Sequence, residues 1–199
     1  MATNSVPRMK FLDPKELQRL LEVARQRSAR DWAILLIGYR HGLRAVELSR
    51  LTLRDIDLKA NVIRVVRAKG SLETVQPIDG AVGGQPWLNE RKALRLWLAE
   101  RESYEDASDF LFLSQKGGQL TTNALWRLFA TVAAEAGIDG RSLHSLKHTR
   151  CSTLLQGGAT VAETQLAVGH RALSSTLRYL HCSPEQAALA ARRAEANVF

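Results

Sequence analysis

Residues 144–180, HSLKHTRCSTLLQGGATVAETQLAVGHRALSSTLRYL, read as three successive helical stretches at about 144–156, 160–168 and 173–180. The same run carries His144, Lys147, His148, Cys151, the Gly169-His170 pair and Tyr179. Ser174-Ser175, just ahead of the tyrosine, has the form of a helix cap. Short helices in succession point to a mainly helical fold, and the residues upstream decide what else it contains.

Working back, Thr121 or Thr122 caps a helix running to about Ala136 and ended by Gly137. Phe110-Leu111-Phe112-Leu113 is a short extended piece, and an amphipathic helix at about 87–101 carries Leu88, Leu94, Trp97 and Leu98 behind the loop Gly80–Pro86. From Asn61 to Ile78 the character changes. Val62-Ile63-Arg64-Val65-Val66 and Glu73-Thr74-Val75-Gln76-Pro77 are strand-like and flank Lys69-Gly70-Ser71, which makes a β-hairpin with Lys69 at or near its tip.

Further upstream, Asp13-Pro14-Lys15-Glu16 sets an N-cap, an N1 proline and an acidic N3 residue in order. Leu17, Leu20, Leu21 and Ala24 follow at helical spacing, so a helix spans about 13–26. Asp31 opens a buried helix through Trp32 to Tyr39 that Gly42 interrupts, and Ala45 to Leu51 is a short helix past that turn. A last, alanine-rich helix runs from Ser183-Pro184-Glu185 to about Ala194. The expected fold is α+β, mainly α-helical, with a small antiparallel β-hairpin or sheet on one side. Neither repeat nor linker divides it, so we read a tail at 1–9 and one domain at 10–196.

The 199 residues hold 45% hydrophobic and 24% charged side chains, the ordinary globular range. Twenty-eight Lys+Arg against 20 Asp+Glu leave +8, which favours an anionic partner, nucleic acid or an acidic membrane face. No apolar run approaches the ~18–20 residues of a membrane span, and MATNSVPRMKFLDPKEL lacks the apolar core of a secretory signal. The cytoplasm is the expected location. Cys151 and Cys182 are read as free thiols.

Four clusters carry reactive groups: Gly42-Leu43-Arg44-Ala45-Val46-Glu47-Leu48, Lys69, His144-Ser145-Leu146-Lys147-His148-Thr149, and Gly169-His170 followed nine positions later by Tyr179. Singly, each has an ordinary reading. An arginine after a turn is usually solvated, a hairpin lysine discourages edge pairing, and a tyrosine sits at a core margin. His144 and His148, at i and i+4 with Cys151 a turn on, have zinc spacing. However, the glutamate of a helical zinc protease motif is absent and Lys147 would set a cation beside the metal. His148 is read as a hydrogen-bonded core residue, and no metal site is assigned.

Order and spacing together resemble the catalytic domain of the tyrosine recombinases, or phage integrases, over about residues 10 to 195. The matching elements are Gly42-Leu43-Arg44 with Glu47, Lys69 on a hairpin, His144 opening a helix, Gly169-His170, and Tyr179 within Thr176-Leu177-Arg178-Tyr179-Leu180-His181. The resemblance implies that Arg44, Lys69, His144, Lys147, His170 and the nucleophile Tyr179 are catalytic and that Glu47 supports them. One position departs from the pattern: Lys147 stands where the family usually has its second arginine. An ammonium keeps the charge but loses the planar fork that holds two phosphate oxygens.

By the same resemblance, Arg44, Lys147, His144 and His170 stabilise the charge that builds on a phosphate under attack. His144 accepts the tyrosine proton, and Lys69 protonates the departing 5′-hydroxyl. A 3′-phosphotyrosyl bond conserves the energy of the broken one, so neither metal, ATP nor any other cofactor is implied. Arg40, Arg67, Lys116, Arg141 and Arg150 are candidate phosphate contacts. Double-stranded DNA is the implied partner, bound by a homotetramer on paired sites and a monomer in free solution, without membrane association. Residues 184–196 suit a helix donated to a neighbouring subunit.

Two rivals share these residues: a type IB topoisomerase that nicks and reseals one strand, and a DNA-binding module with attenuated cleavage. Most family members also carry an N-terminal helical domain, whereas about a dozen residues precede the first helix here. The expectation is a fragment or a short single-domain form like those of fimbrial phase switching. Lys147→Arg is expected to cleave as fast or faster.

Overall fold

The computed structural model describes residues 11–68, 73–104, 108–177 and 179. Helix α1 (Pro14–Arg27) starts on the anticipated capping box, in which the Asp13 carboxylate accepts from the Glu16 N–H at 2.8 Å and Glu16 returns a bond to the Asp13 N–H at 2.9 Å. Helix α2 (Ala29–Arg40) begins earlier than Asp31, because the Ser28 hydroxyl accepts from the Asp31 N–H at 3.0 Å and so takes the cap. Every residue of α2 from Asp31 to Arg40 is buried, which makes it the central rod of the molecule. Helices α1, α4 (Glu90–Arg101) and α6 (His144–Gln156) pack around it.

Helix α3 (Ala45–Arg50) follows the Gly42 turn, and α5 (Thr122–Glu135) lies against α3 and α1. Helix α4 starts three residues later than its apolar pattern suggests. Asn89 caps it through the Lys92 N–H at 2.9 Å, and Pro86–Leu88 forms a separate 3₁₀ turn. The short helices α7 (Val161–Val168) and α8 (Ser174–Leu177) finish the described chain, with α7 against α6. Of the expected continuation of α8 to 180 only Tyr179 is described, as a turn residue, and the expected helix at 183–194 lies outside the described residues.

The sheet has three antiparallel strands in the order β1 (Ile56–Asp57), β2 (Val62–Val65), β3 (Thr74–Pro77). The hairpin register runs from Val62 opposite Pro77 to Val65 opposite Thr74. Strand β1, only two residues long, was too short for a sequence signal, and Lys69 at the hairpin tip lies outside the described residues. Phe110 to Leu113 makes isolated bridges, Thr52 to Phe110 and Leu113 to Gln119, rather than a strand. The core is assembled from Leu20, Leu21, Trp32, Ile34, Leu36, Trp97, Phe112, Phe129 and Leu146.

A buried hydrogen bond ties the segment ahead of α1 to the helix that opens on His144. Thr149 Oγ1 accepts from the Leu12 N–H at 2.8 Å and donates to the Ser145 carbonyl at 2.7 Å. Thr149→Val strands that N–H without an acceptor, so urea unfolding should show a loss of about 1–3 kcal/mol. An unchanged midpoint would mean that this tie contributes nothing.

Candidate active site

Helix α2 ends at His41, and Gly42 follows with φ +56°, the left-handed geometry that lets the Leu43 N–H return to the Gly38 carbonyl at 3.0 Å. That reversal delivers Arg44 to the start of α3. A side chain at 42 would also meet Val168, since a Cβ would sit 3.1 Å from its Cγ1. The His41 ring is fixed beneath the turn, with Nδ1 2.9 Å from Gln76 Oε1 and Nε2 2.5 Å from the buried Glu90 carboxylate.

Glu47 organises the turn. Its carboxylate accepts from the Arg44 N–H and Arg44 guanidinium, both at 2.8 Å, from the Ala68 N–H at 3.1 Å, and from Arg67 at 3.5 Å. Burial opposes its ionisation, but the backbone donors of Arg44 and Ala68 with the charges of Lys147 and Arg67 prevail and hold it below the usual carboxylate range. Arg44 keeps a third of its side-chain surface exposed, 34%, so part of its fork faces solvent.

Lys147 comes from α6 and is 7% exposed. Its Nζ donates to the Gly42 carbonyl at 2.8 Å and to the Val168 carbonyl. Val168 ends α7, whose last carbonyls lack intrahelical donors, and Gly42 lies just past the end of α2, so the negative end of each helix dipole favours a cation there. Burial above all, then the neighbouring Arg67, pushes the ammonium down to about 7.

His144, the first residue of α6, is exposed and set edge-on to Trp126 of α5, with ring centroids 5.0 Å apart. Desolvation and the charges of Arg44 and Lys147 lower its proton affinity. At the other end, Gly169 closes α7 in the left-handed conformation, φ +63°, and turns His170 toward α8. His170 Nδ1 lies 2.9 Å from Thr176 Oγ1, and burial with the charges of Lys147 and Arg44 pushes the ring down to about 4. Tyr179 stacks on it, centroids 6.4 Å apart and planes 18° from parallel.

The tyrosine hydroxyl is hydrogen-bonded to His148 Nδ1, and those rings lie 5.6 Å apart. His148 therefore belongs to the site rather than to the core. Its i+4 spacing from His144 was the available signal, since it puts both rings on one face of α6. Cys151 is fully buried, which leaves the zinc spacing without an accessible third ligand.

The structure brings Arg44, Glu47, His144, Lys147, His170 and Tyr179 together, while Lys69 lies outside the described residues. Two expected phosphate contacts are corrected. Arg67 has a side chain 0% exposed and bonded to backbone carbonyls, and Arg40 is buried in an ion pair with Asp79 beside Glu90. Arg141 pairs with Glu16 at 3.2 Å, Arg150 is partly buried over the Tyr39 ring, and Lys116 is exposed.

A Cβ at Gly169 would stand 2.5 Å from Arg67 Nε, in addition to the strain of a left-handed alanine. Gly137 has the same backbone conformation, φ +65°, in open space. Gly169→Ala should therefore cost at least ~1 kcal/mol more than Gly137→Ala in thermal unfolding. Equal losses would show that Arg67 yields freely.

Comparison with known proteins agrees with this geometry. The chain is 31% identical over 175 residues to the type 1 fimbriae regulatory protein FimE of Escherichia coli K12, covering 85% of this chain and 84% of that one. The crystal structure of XerA recombinase superposes with a TM-score of 0.76 at 26% identity, over 92% of this chain and 64% of XerA. A post-cleavage complex of XerH site-specific recombinase bound to palindromic difH substrate gives 0.73 at 26% identity, over 92% of this chain and 52% of XerH. The chain thus spans most of FimE and between half and two thirds of the Xer structures. The phage integrase family model matches residues 10–186, so the chain belongs to the phage integrase family, the tyrosine recombinases that break and rejoin DNA.

Proposed function

We propose that this chain is a site-specific DNA recombinase in which Tyr179 attacks a backbone phosphate held by Arg44 and Lys147. The observation that carries the reading is the setting of the tyrosine. Its hydroxyl is bonded to His148, and its ring stacks on His170, whose proton affinity is lowered by Lys147 and Arg44. A free phenol is ionised to only about one part in a thousand at neutral pH. An imidazole at the hydroxyl can take the proton as the oxygen–phosphorus bond forms, and the contact with His148 supports giving it the acceptor role expected of His144.

Charge on the attacked phosphate is met by Arg44, whose fork is partly exposed, and by Lys147, whose Nζ has one N–H left after its two carbonyl bonds. Such preorganised donors are worth roughly 3–4 kcal/mol each in acyl- and phosphoryl-transfer sites. His144 and His170, kept neutral near pH 7, add hydrogen bonds without further repulsion among the cations. The oxygen–phosphorus bond to the 5′ side breaks as Lys69 gives its proton to the departing hydroxyl, by resemblance to the family. The phosphotyrosyl bond then passes the strand to another 5′-hydroxyl.

Double-stranded DNA is the partner on this reading, in keeping with the XerH structure bound to difH substrate, and a homotetramer on paired sites is the assembly that the family resemblance implies. Residues 10–196 form one catalytic domain, and the cytoplasm is the compartment. Among the described residues no helix is long and apolar enough to cross a membrane.

On a pool of sequence-randomised nicked duplexes, the chain should form a covalent adduct that survives denaturing electrophoresis. Tyr179→Phe should abolish it while leaving DNA retention intact. Tight retention without any adduct from the unaltered chain would sink the reading.

The ammonium of Lys147 also predicts a pH dependence. Its charge is present below about 7 and lost as pH rises through that value, so adduct formation at sub-saturating DNA should fall on the alkaline side. Lys147→Arg, which does not titrate in this range, should stay active and lose that alkaline fall. Retention of the fall in the variant would assign it to another group.

A further inference from the structure

Arg67 lies just past the end of β2 and two positions before Lys69, yet its side chain is 0% exposed and cannot touch DNA. Its two terminal nitrogens donate to three segments, while its buried Nε has no hydrogen-bond partner among the described residues. One terminal nitrogen donates to the His41 carbonyl at 2.9 Å and the Ala167 carbonyl at 2.8 Å, and the other to the Gly42 carbonyl at 3.3 Å and Glu47 at 3.5 Å. Its Nε is packed against Gly169, where no side chain fits. A buried guanidinium without such partners would cost several kcal/mol. With them it is a rigid tie between the hairpin, the turn ahead of Arg44 and the turn that carries His170.

We infer that Arg67 is a positioning residue of the active site: its guanidinium sets the Gly42–Arg44 turn, the Gly169-His170 turn and the segment leaving the end of β2 in one register. The inference rests on the recombinase reading of those residues. Gln76 reinforces the tie from the neighbouring strand, its amide donating to the Ala167 carbonyl at 3.1 Å.

The tie has an electrostatic consequence. Arg67 and Lys147 share the Gly42 carbonyl, at 3.3 and 2.8 Å. The charged and titratable groups around Lys147 are Arg44 and Glu47 on the turn and α3, Arg67 on the hairpin, His170 beyond α7, and Cys151, His144 and His148 on α6 itself. After burial, Arg67 is the largest influence lowering the ammonium. A residue that merely filled space would not set that titration.

The test uses the DNA-free chain, labelled with ¹³C at lysine Cε, with the Lys147 signal identified by its loss in Lys147→Arg. Its midpoint should be about 7 in the unaltered protein and about one unit higher in Arg67→Met. Arg67→Lys keeps the charge but cannot span the same carbonyls. It should hold the midpoint near the unaltered value while amide exchange at Leu43, Arg44 and His170 accelerates about tenfold. If Arg67→Met does not fold, Arg67→Lys alone decides the matter through those three amides. An unmoved midpoint in folded Arg67→Met, or unchanged exchange in Arg67→Lys, overturns the inference. Because no DNA is present, failure here is distinct from failure of the unaltered chain to form an adduct, which would overturn the recombinase reading.

Discussion

The carbonyl of Gly42, just past the end of α2, and that of Val168, at the end of α7, share one ammonium, Lys147 Nζ, and the rest of the site depends on this junction. Helix ends leave carbonyls without donors and concentrate negative potential. Two such ends facing each other form a place where cations can be buried. Lys147 and Arg67 fill it, and Glu47 balances their charge from the first turn of α3. Arg44, His144, His170 and Tyr179 are arranged around this core of charge, each delivered by a helix terminus or a left-handed glycine.

The arrangement also accounts for a lysine at a position where the family usually has an arginine. A compact ammonium fits between two carbonyls next to a guanidinium that has already claimed Gly42, His41 and Ala167. The consequence is a cation whose charge depends on pH near neutrality, beside histidines that the same field keeps neutral. On the proposed reading Arg44 and Lys147 meet the phosphate, His144 and His170 add hydrogen bonds to it, and the His148 contact serves the phenol.

Local signals were legible in the sequence. The Asp13 capping box, the Gly42 turn and the two strands of the hairpin follow from residue types within a few positions of one another. Long-range burial was harder to read. Arg67 looked like a surface cation, although strand alternation places it on the same face as Ile63 and Val65, which are buried, while the apolar Val66 faces out. Arg40 sits at the end of a helix buried all round, where position along the chain says nothing about the Asp79 and Glu90 that receive it. His148 reads from its own helix as a core residue, because its contact with Tyr179 comes from 31 positions away.

The most direct measurement of the central claim is to digest a trapped protein–DNA complex and identify the modified residue and its nucleotide by mass spectrometry. The account predicts a single 3′-phosphoryl nucleotide joined to the Tyr179 oxygen. Attachment through a 5′-phosphate, or to any other side chain, would contradict it.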